Sequence, residues 1–142
     1  MNDDGSVRIG GVHNFLILSR DKTGPGDSGQ RLSVWSLFVE LHAEGLTAKT
    51  SISLGPDGVE ERLSEFFARL ATDWRGWDGT QSWEGMEGRL DLHCINDRVA
   101  TAQIRVVLRH ASGAGWTADV VVPVDLGQLD TVAADLHQLL TV

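Results

Sequence analysis

Twice along this chain, alternating apolar positions run into a helix-like stripe, and that repeated order limits the fold more than any motif does. In residues 32–42, Trp35, Leu37, Val39 and Leu41 fall on one strand face, opposite a mixed face of Val34, Ser36, Phe38, Glu40 and His42. The short turn Ala43-Glu44-Gly45 leads into Leu46, Ala48, Thr50, Ile52 and Leu54, which alternate with Thr47, Lys49, Ser51 and Ser53. A parallel return would need a longer crossover, so this spacing predicts an antiparallel hairpin. After Gly55-Pro56-Asp57-Gly58, the residues Val59, Leu63, Phe66, Phe67 and Leu70 recur at helical spacing. They predict a helix over residues 59–71, with Asp57 as its cap.

The second half repeats the order. Met86 to Ile95 and Arg98 to His110 read as strands joined at Asn96-Asp97, with Ala102, Ile104, Val106 and Leu108 on one face. Trp116, Ala118, Val120, Val122 and Val124 alternate in the next strand, and a helix over 129–140 carries Leu129, Val132, Ala133, Leu136, Leu139 and Leu140. With a first strand at His13 to Ser19, each half reads as three strands followed by a helix. An offset of 70 aligns Ala48 with Ala118, Ile52 with Val122, Phe66 with Leu136 and Leu70 with Leu140. Internal duplication is one explanation; amphipathic elements also match in this way by chance. Either origin predicts an α+β fold of order βββα-βββα: a largely antiparallel sheet with both helices on one face.

A chain of 142 residues reads as one domain, with residues 1–11 mobile and the glycine-rich stretch 21–30 a loop. The net charge of −8, from 20 acidic against 12 basic residues, argues against nucleic acid, which needs a cationic track. It suits a basic protein partner, although acidity also serves solubility alone. The start of the chain carries no secretion signal and no stretch reaches the length of a membrane span, so the expected location is cytoplasmic. The lone Cys94 suits a reducing compartment and reads as a buried thiol.

No catalytic constellation is visible, and no metal or cofactor is expected. The five histidines are scattered, and His93 and Cys94, adjacent in a strand, should point to opposite faces. His42 and His110 could approach each other if the halves pair symmetrically. The densest chemistry lies in Asp73-Trp74-Arg75-Gly76-Trp77-Asp78-Gly79-Thr80-Gln81-Ser82-Trp83-Glu84-Gly85, which holds three of the five tryptophans. Trp and Arg are enriched where proteins bind one another, so Arg75, Trp77, Asp78, Trp83 and Glu84 are the candidate binding residues. Trp74, directly after the helix, is expected to seal the core, with Trp77 or Trp83 partly exposed. The competing reading places all three tryptophans in the core.

The run from Leu70 to Gly79, followed by Trp83-Glu84 and a strand, resembles a family of small uncharacterised actinobacterial proteins that share a Trp-Arg-Gly-Trp segment. The resemblance covers the chain from about Val34 onward and carries no activity. In size and composition the chain is also broadly similar to the small acidic proteins of bacterial toxin–immunity systems. The leading functional reading is therefore a non-enzymatic protein-binding module, of immunity-like character. The alternatives are a small-molecule-binding or enzymatic domain with a pocket between sheet and helices, and a homodimeric structural subunit.

Overall fold

The computed structural model describes residues 5–20, 36–53, 62–85, 88–97, 99–110 and 115–140. The first half forms β1 (Val7–Gly10), β2 (Phe15–Arg20), β3 (Ser36–Ala43), β4 (Leu46–Ser53) and α1 (Leu63–Thr72). The second forms β5 (Gln81–Glu84), β6 (Leu90–Asn96), β7 (Thr101–Arg109), β8 (Thr117–Asp125) and α2 (Leu129–Leu140), with a 3-10 turn at Leu126–Gln128 leading into α2. Among the described residues the order is thus four strands and a helix, twice. The α+β class and the antiparallel pairing hold, but there are two four-stranded sheets rather than one, ordered β1-β2-β3-β4 and β5-β6-β7-β8.

Both extra strands are short. Residues 7–10, expected to belong to a mobile start, form β1, with Val7 and Ile9 buried against the core. β5 lies inside the tryptophan segment. Four residues are too few for a period-two pattern to stand out from chance. The loop expected at 21–30, the Asp57 cap and the helix start at Val59 lie outside the described residues. The described helix begins at Leu63.

The alternation works as the sequence implies. Leu37, Val39 and Leu41 of β3 pair with Ile52, Thr50 and Ala48 of β4, and all six are buried. On β7, Ala102, Ile104, Val106 and Leu108 are buried opposite Asn96, Cys94, Leu92 and Leu90 of β6. Each sheet therefore has one dry face, and two dry faces can cover each other. β8 spans the first sheet. At one end of β8, His110 meets Thr50 of β4 (Nδ1 to Oγ1, 3.0 Å) and stacks on Trp116. Further along, the Asn14 amide donates to the Val121 carbonyl at 2.9 Å, beside the β1–β2 turn. A Cβ at Gly10 would come within 2.5 Å of Val122 Cγ1, so only glycine allows this approach.

The helices pack against each other, and α2 also lies on β1. Leu63, Phe66, Phe67 and Leu70 of α1 join Leu129, Val132, Leu136 and Leu139 of α2 in one core with residues of both sheets. Arg20 donates to the carbonyls of Leu139 (2.9 Å) and Gln138 (3.1 Å), supplying a cation and donors to the last turn of α2.

Candidate functional site

The tryptophan segment starts where α1 stops. Asp73 N–H donates to the Arg69 carbonyl at 3.2 Å, and Gly76 N–H donates to the Asp73 carbonyl at 3.0 Å. Gly76 then takes φ 151°, a value that side chains rarely adopt, and the chain reverses. The reversal carries Trp77 inward, where its indole N–H donates to the Cys94 carbonyl of β6 at 3.1 Å. Trp83 takes an inward position of β5 opposite Leu92, and it closes over Gly85. Trp77 is 6% exposed and Trp83 is 7% exposed, whereas Trp74 is 49% exposed.

This reverses the expected roles. Trp77 and Trp83 build the core, and Trp74 reaches solvent. The physical reason is that helix α1 ends one residue short of Asp73, so Trp74 sits in a turn that faces outward. Proximity to the helix had suggested the opposite. The other candidate residues, Arg75, Asp78 and Glu84, are all exposed.

Trp74 is held rather than loose. Its carbonyl accepts a 3.0 Å bond from the Asn96 amide at the end of β6, and the Arg75 guanidinium lies over its ring at 5.5 Å. The same end of the second sheet carries two more exposed apolar side chains, Ile95 at 53% and Val99 at 87%. The turn between β6 and β7 is pinned by Asp97, whose Oδ1 accepts the N–H groups of Val99, Ala100 and Thr101 at 2.8, 3.0 and 3.0 Å. These bonds, that from Thr101 first, hold the Asp97 carboxyl below its ordinary range. Asp73 directly precedes Trp74 and Asp97 follows Asn96, so two exposed carboxylates rim this apolar end, with the Arg75 guanidinium over the Trp74 ring.

Elsewhere, the outward face of the second sheet is a lattice of charges. Arg105 grips Asp119 through both carboxylate oxygens, the shortest contact being 2.6 Å, and Arg109 meets Asp91 at 2.8 Å. The hydrogen bond from Arg105 keeps the Asp119 carboxyl below its ordinary range. Val107 lies between these pairs and is 6% exposed although it faces outward, because arginine stems shelter apolar neighbours.

The remaining chemistry does not converge. His93 and Cys94 point to opposite faces. His93 bonds Ser82 Oγ at 3.0 Å on the open side, while burial pushes the Cys94 thiol up to about 12. A serine and a histidine facing each other across β5 and β6 on an open sheet face make an ordinary cross-strand pair. His42 stacks on Phe15 at 4.7 Å on the outward face of the first sheet. His110 bonds Thr50 on the inward face, so the two histidines do not meet. Among the described residues, no group of three or more His, Cys, Asp and Glu side chains is placed to hold a metal ion. Among the same residues, no helix is long and apolar enough to cross a membrane.

Two antiparallel four-stranded sheets with a helix after each define a two-sheet α+β protein. The chain belongs to a family of unknown function, DUF6228, whose model matches residues 25–142. No curated protein matches the sequence. Among solved structures, the chain is similar to that of the plant transcriptional regulator PBF-2, at 12% identity and a TM-score of 0.47, over 94% of this chain and 78% of that one. A likeness at that level says nothing about partners or activity.

Proposed function

We propose that this protein is a non-enzymatic protein-binding module with a basic partner, of immunity-like character, acting in the cytoplasm. The observation that carries the reading is Trp74, half exposed in a turn held by the Asn96 amide, with an arginine over its ring and the exposed Asp73 beside it in the chain. Folding gains little from a tryptophan in that position, whereas binding hot spots are enriched in tryptophan and arginine. Arg75, Asp78 and Glu84 keep their place as orienting charges. Trp77 and Trp83 act from beneath, by fixing the segment to β6. The acidic rim disfavours nucleic acid and attracts cationic protein surface. We extend the proposal to the family: the Trp-Arg-Gly-Trp run marks it, and its members are actinobacterial.

The test is recovery of the partner from the protein's own cells, followed by calorimetric titration with wild type and with Trp74→Ala. Truncation of a hot spot commonly costs about 2 kcal/mol, roughly a thirtyfold weakening. An equally folded Trp74→Ala that binds at full strength would remove the patch from consideration.

A further inference from the structure

The two sheets have four edges, and their treatment differs. β1 is packed against α2 and β8. β8 is met by Asn14, whose amide takes up the Val121 carbonyl. On β4, the Ser51 carbonyl accepts from Arg89 at 3.3 Å, and Lys49 stands exposed. A lysine on an edge is one of the ways proteins discourage strand addition. β5 is different. It reads Gln81-Ser82-Trp83-Glu84, with no basic residue, and its Ser82 and Glu84 side chains are exposed.

The register tells which backbone groups of β5 face the open side. Gly85 N–H donates to the Leu90 carbonyl at 2.8 Å, which makes Gly85 and Leu90 a hydrogen-bonded pair. In an antiparallel ladder such pairs recur every second residue. Trp83 with Leu92 and Gln81 with Cys94 are therefore bonded pairs, and the N–H and C=O groups of Ser82 and Glu84 point away from β6. Among the described residues, nothing bonds those four groups. The same two residues place a serine and a carboxylate on the outward face.

We propose that the edge of β5 accepts an extended basic segment of the partner as an antiparallel fifth strand of the second sheet. This rests on the protein-binding reading and names the form in which the partner arrives. Main-chain bonds to Ser82 and Glu84 supply affinity, as in other strand additions. Charge supplies specificity. A residue directly opposite Glu84 shares its outward face, and lysine or arginine there meets the carboxylate. Charge also separates this occupant from a second copy of the chain. Two-fold pairing of β5 with itself would set Glu84 opposite Ser82 or Glu84 of the copy, with no cation on either β5 strand to meet the carboxylate.

The probe is a fluorescein-labelled heptapeptide of alternating lysine and valine, titrated by anisotropy. Controls replace lysine by glutamate, or N-methylate either the lysines or the valines. In the proposed register the lysine amides face β5, so methylating them weakens binding more than tenfold, while methylating the valines does not. Ser82→Pro removes an N–H that faces the open side, a position where an edge strand tolerates proline, together with the exposed hydroxyl bond to His93. It is expected to keep the wild-type circular dichroism and lose more than tenfold in affinity. Ser82→Ala, which loses that hydroxyl alone, is the control and is expected to bind as wild type. Glu84→Lys is expected to reverse the preference toward the glutamate peptide. On binding, the Ser82 and Glu84 amides become protected from solvent exchange. If Trp74→Ala loses the lysine peptide while Ser82→Pro, Glu84→Lys and lysine methylation leave its binding unchanged, strand addition is overturned and the protein-binding reading stands. If the lysine peptide binds no better than the glutamate peptide, both fall. If the chain sediments as a dimer that Ser82→Pro dissociates, the edge belongs to a second copy and the proposal fails.

Discussion

Trp74 and Trp77 are three residues apart and have opposite surroundings. Trp74 stands half in water against an arginine; Trp77 is buried with its N–H spent on a strand carbonyl. What separates them is one reversal at Gly76, made at a φ that favours glycine. The segment is therefore two structures in series. An outward turn belongs to the surface, and an inward return ending in β5 belongs to the core. A cluster of tryptophans in a sequence says that a region is dense in apolar area; the backbone between them decides which of that area water sees.

The largest expected effect lies on the inward side. Trp83→Ala should destabilise the protein by about 3–5 kcal/mol, the usual cost of deleting a buried aromatic. Urea denaturation measures this, and a midpoint equal to wild type would place Trp83 outside the core. Next comes the reversal itself. Gly76→Ala forces a side chain into a rarely adopted backbone conformation and should cost about 1–3 kcal/mol, with Trp77 fluorescence shifting toward that of a wetter indole. An unchanged midpoint and spectrum would mean that the reversal is not what divides the segment.

The smallest effect belongs to the charges of the second sheet. Asp97 and Asp119 have carboxyls held below the ordinary 3.8. A depressed pKa stabilises the folded state above the unfolded value, and that contribution is lost as pH falls through the folded one. Between pH 7 and 5 these two groups should leave stability unchanged; below about pH 4 their contribution fades. The Arg105–Asp119 pair is exposed and screened by solvent, so its share is small. Carboxyl chemical shifts against pH provide the check. Ordinary titration of Asp97 would show that its turn is not pinned, and the support beneath Trp74 would weaken with it.

The long alternating strands were legible in the sequence. β3, β4, β7 and β8 each present a run of buried residues at period two, and that pattern depends only on side chains. α2 was equally plain, because Leu129, Val132, Leu136 and Leu139 form a stripe that nothing else explains. β1 and β5 were missed, since four residues hold no more than two inward positions each: Val7 and Ile9, Gln81 and Trp83. The division into two sheets was also hidden. Nothing local distinguishes β4 and β5 as edges of separate sheets from neighbours in one, and the decision rests on contacts such as Gly10 with Val122 and Thr50 with His110. Within the candidate site, Arg75, Asp78 and Glu84 are exposed as charged loop residues usually are. The end of α1 was legible, expected at residue 71 and found at Thr72, but the tryptophans were misplaced because their exposure depends on how the chain reverses at Gly76.

The most direct test of this division is a side-by-side urea denaturation of Trp74→Ala and Trp77→Ala against wild type. The account predicts that Trp74→Ala unfolds within about 0.5 kcal/mol of wild type, as surface substitutions do. It predicts that Trp77→Ala loses about 3–5 kcal/mol, having emptied a core position and removed the indole donor to the Cys94 carbonyl. Equal losses for the two variants, or a larger loss for Trp74→Ala, would contradict it.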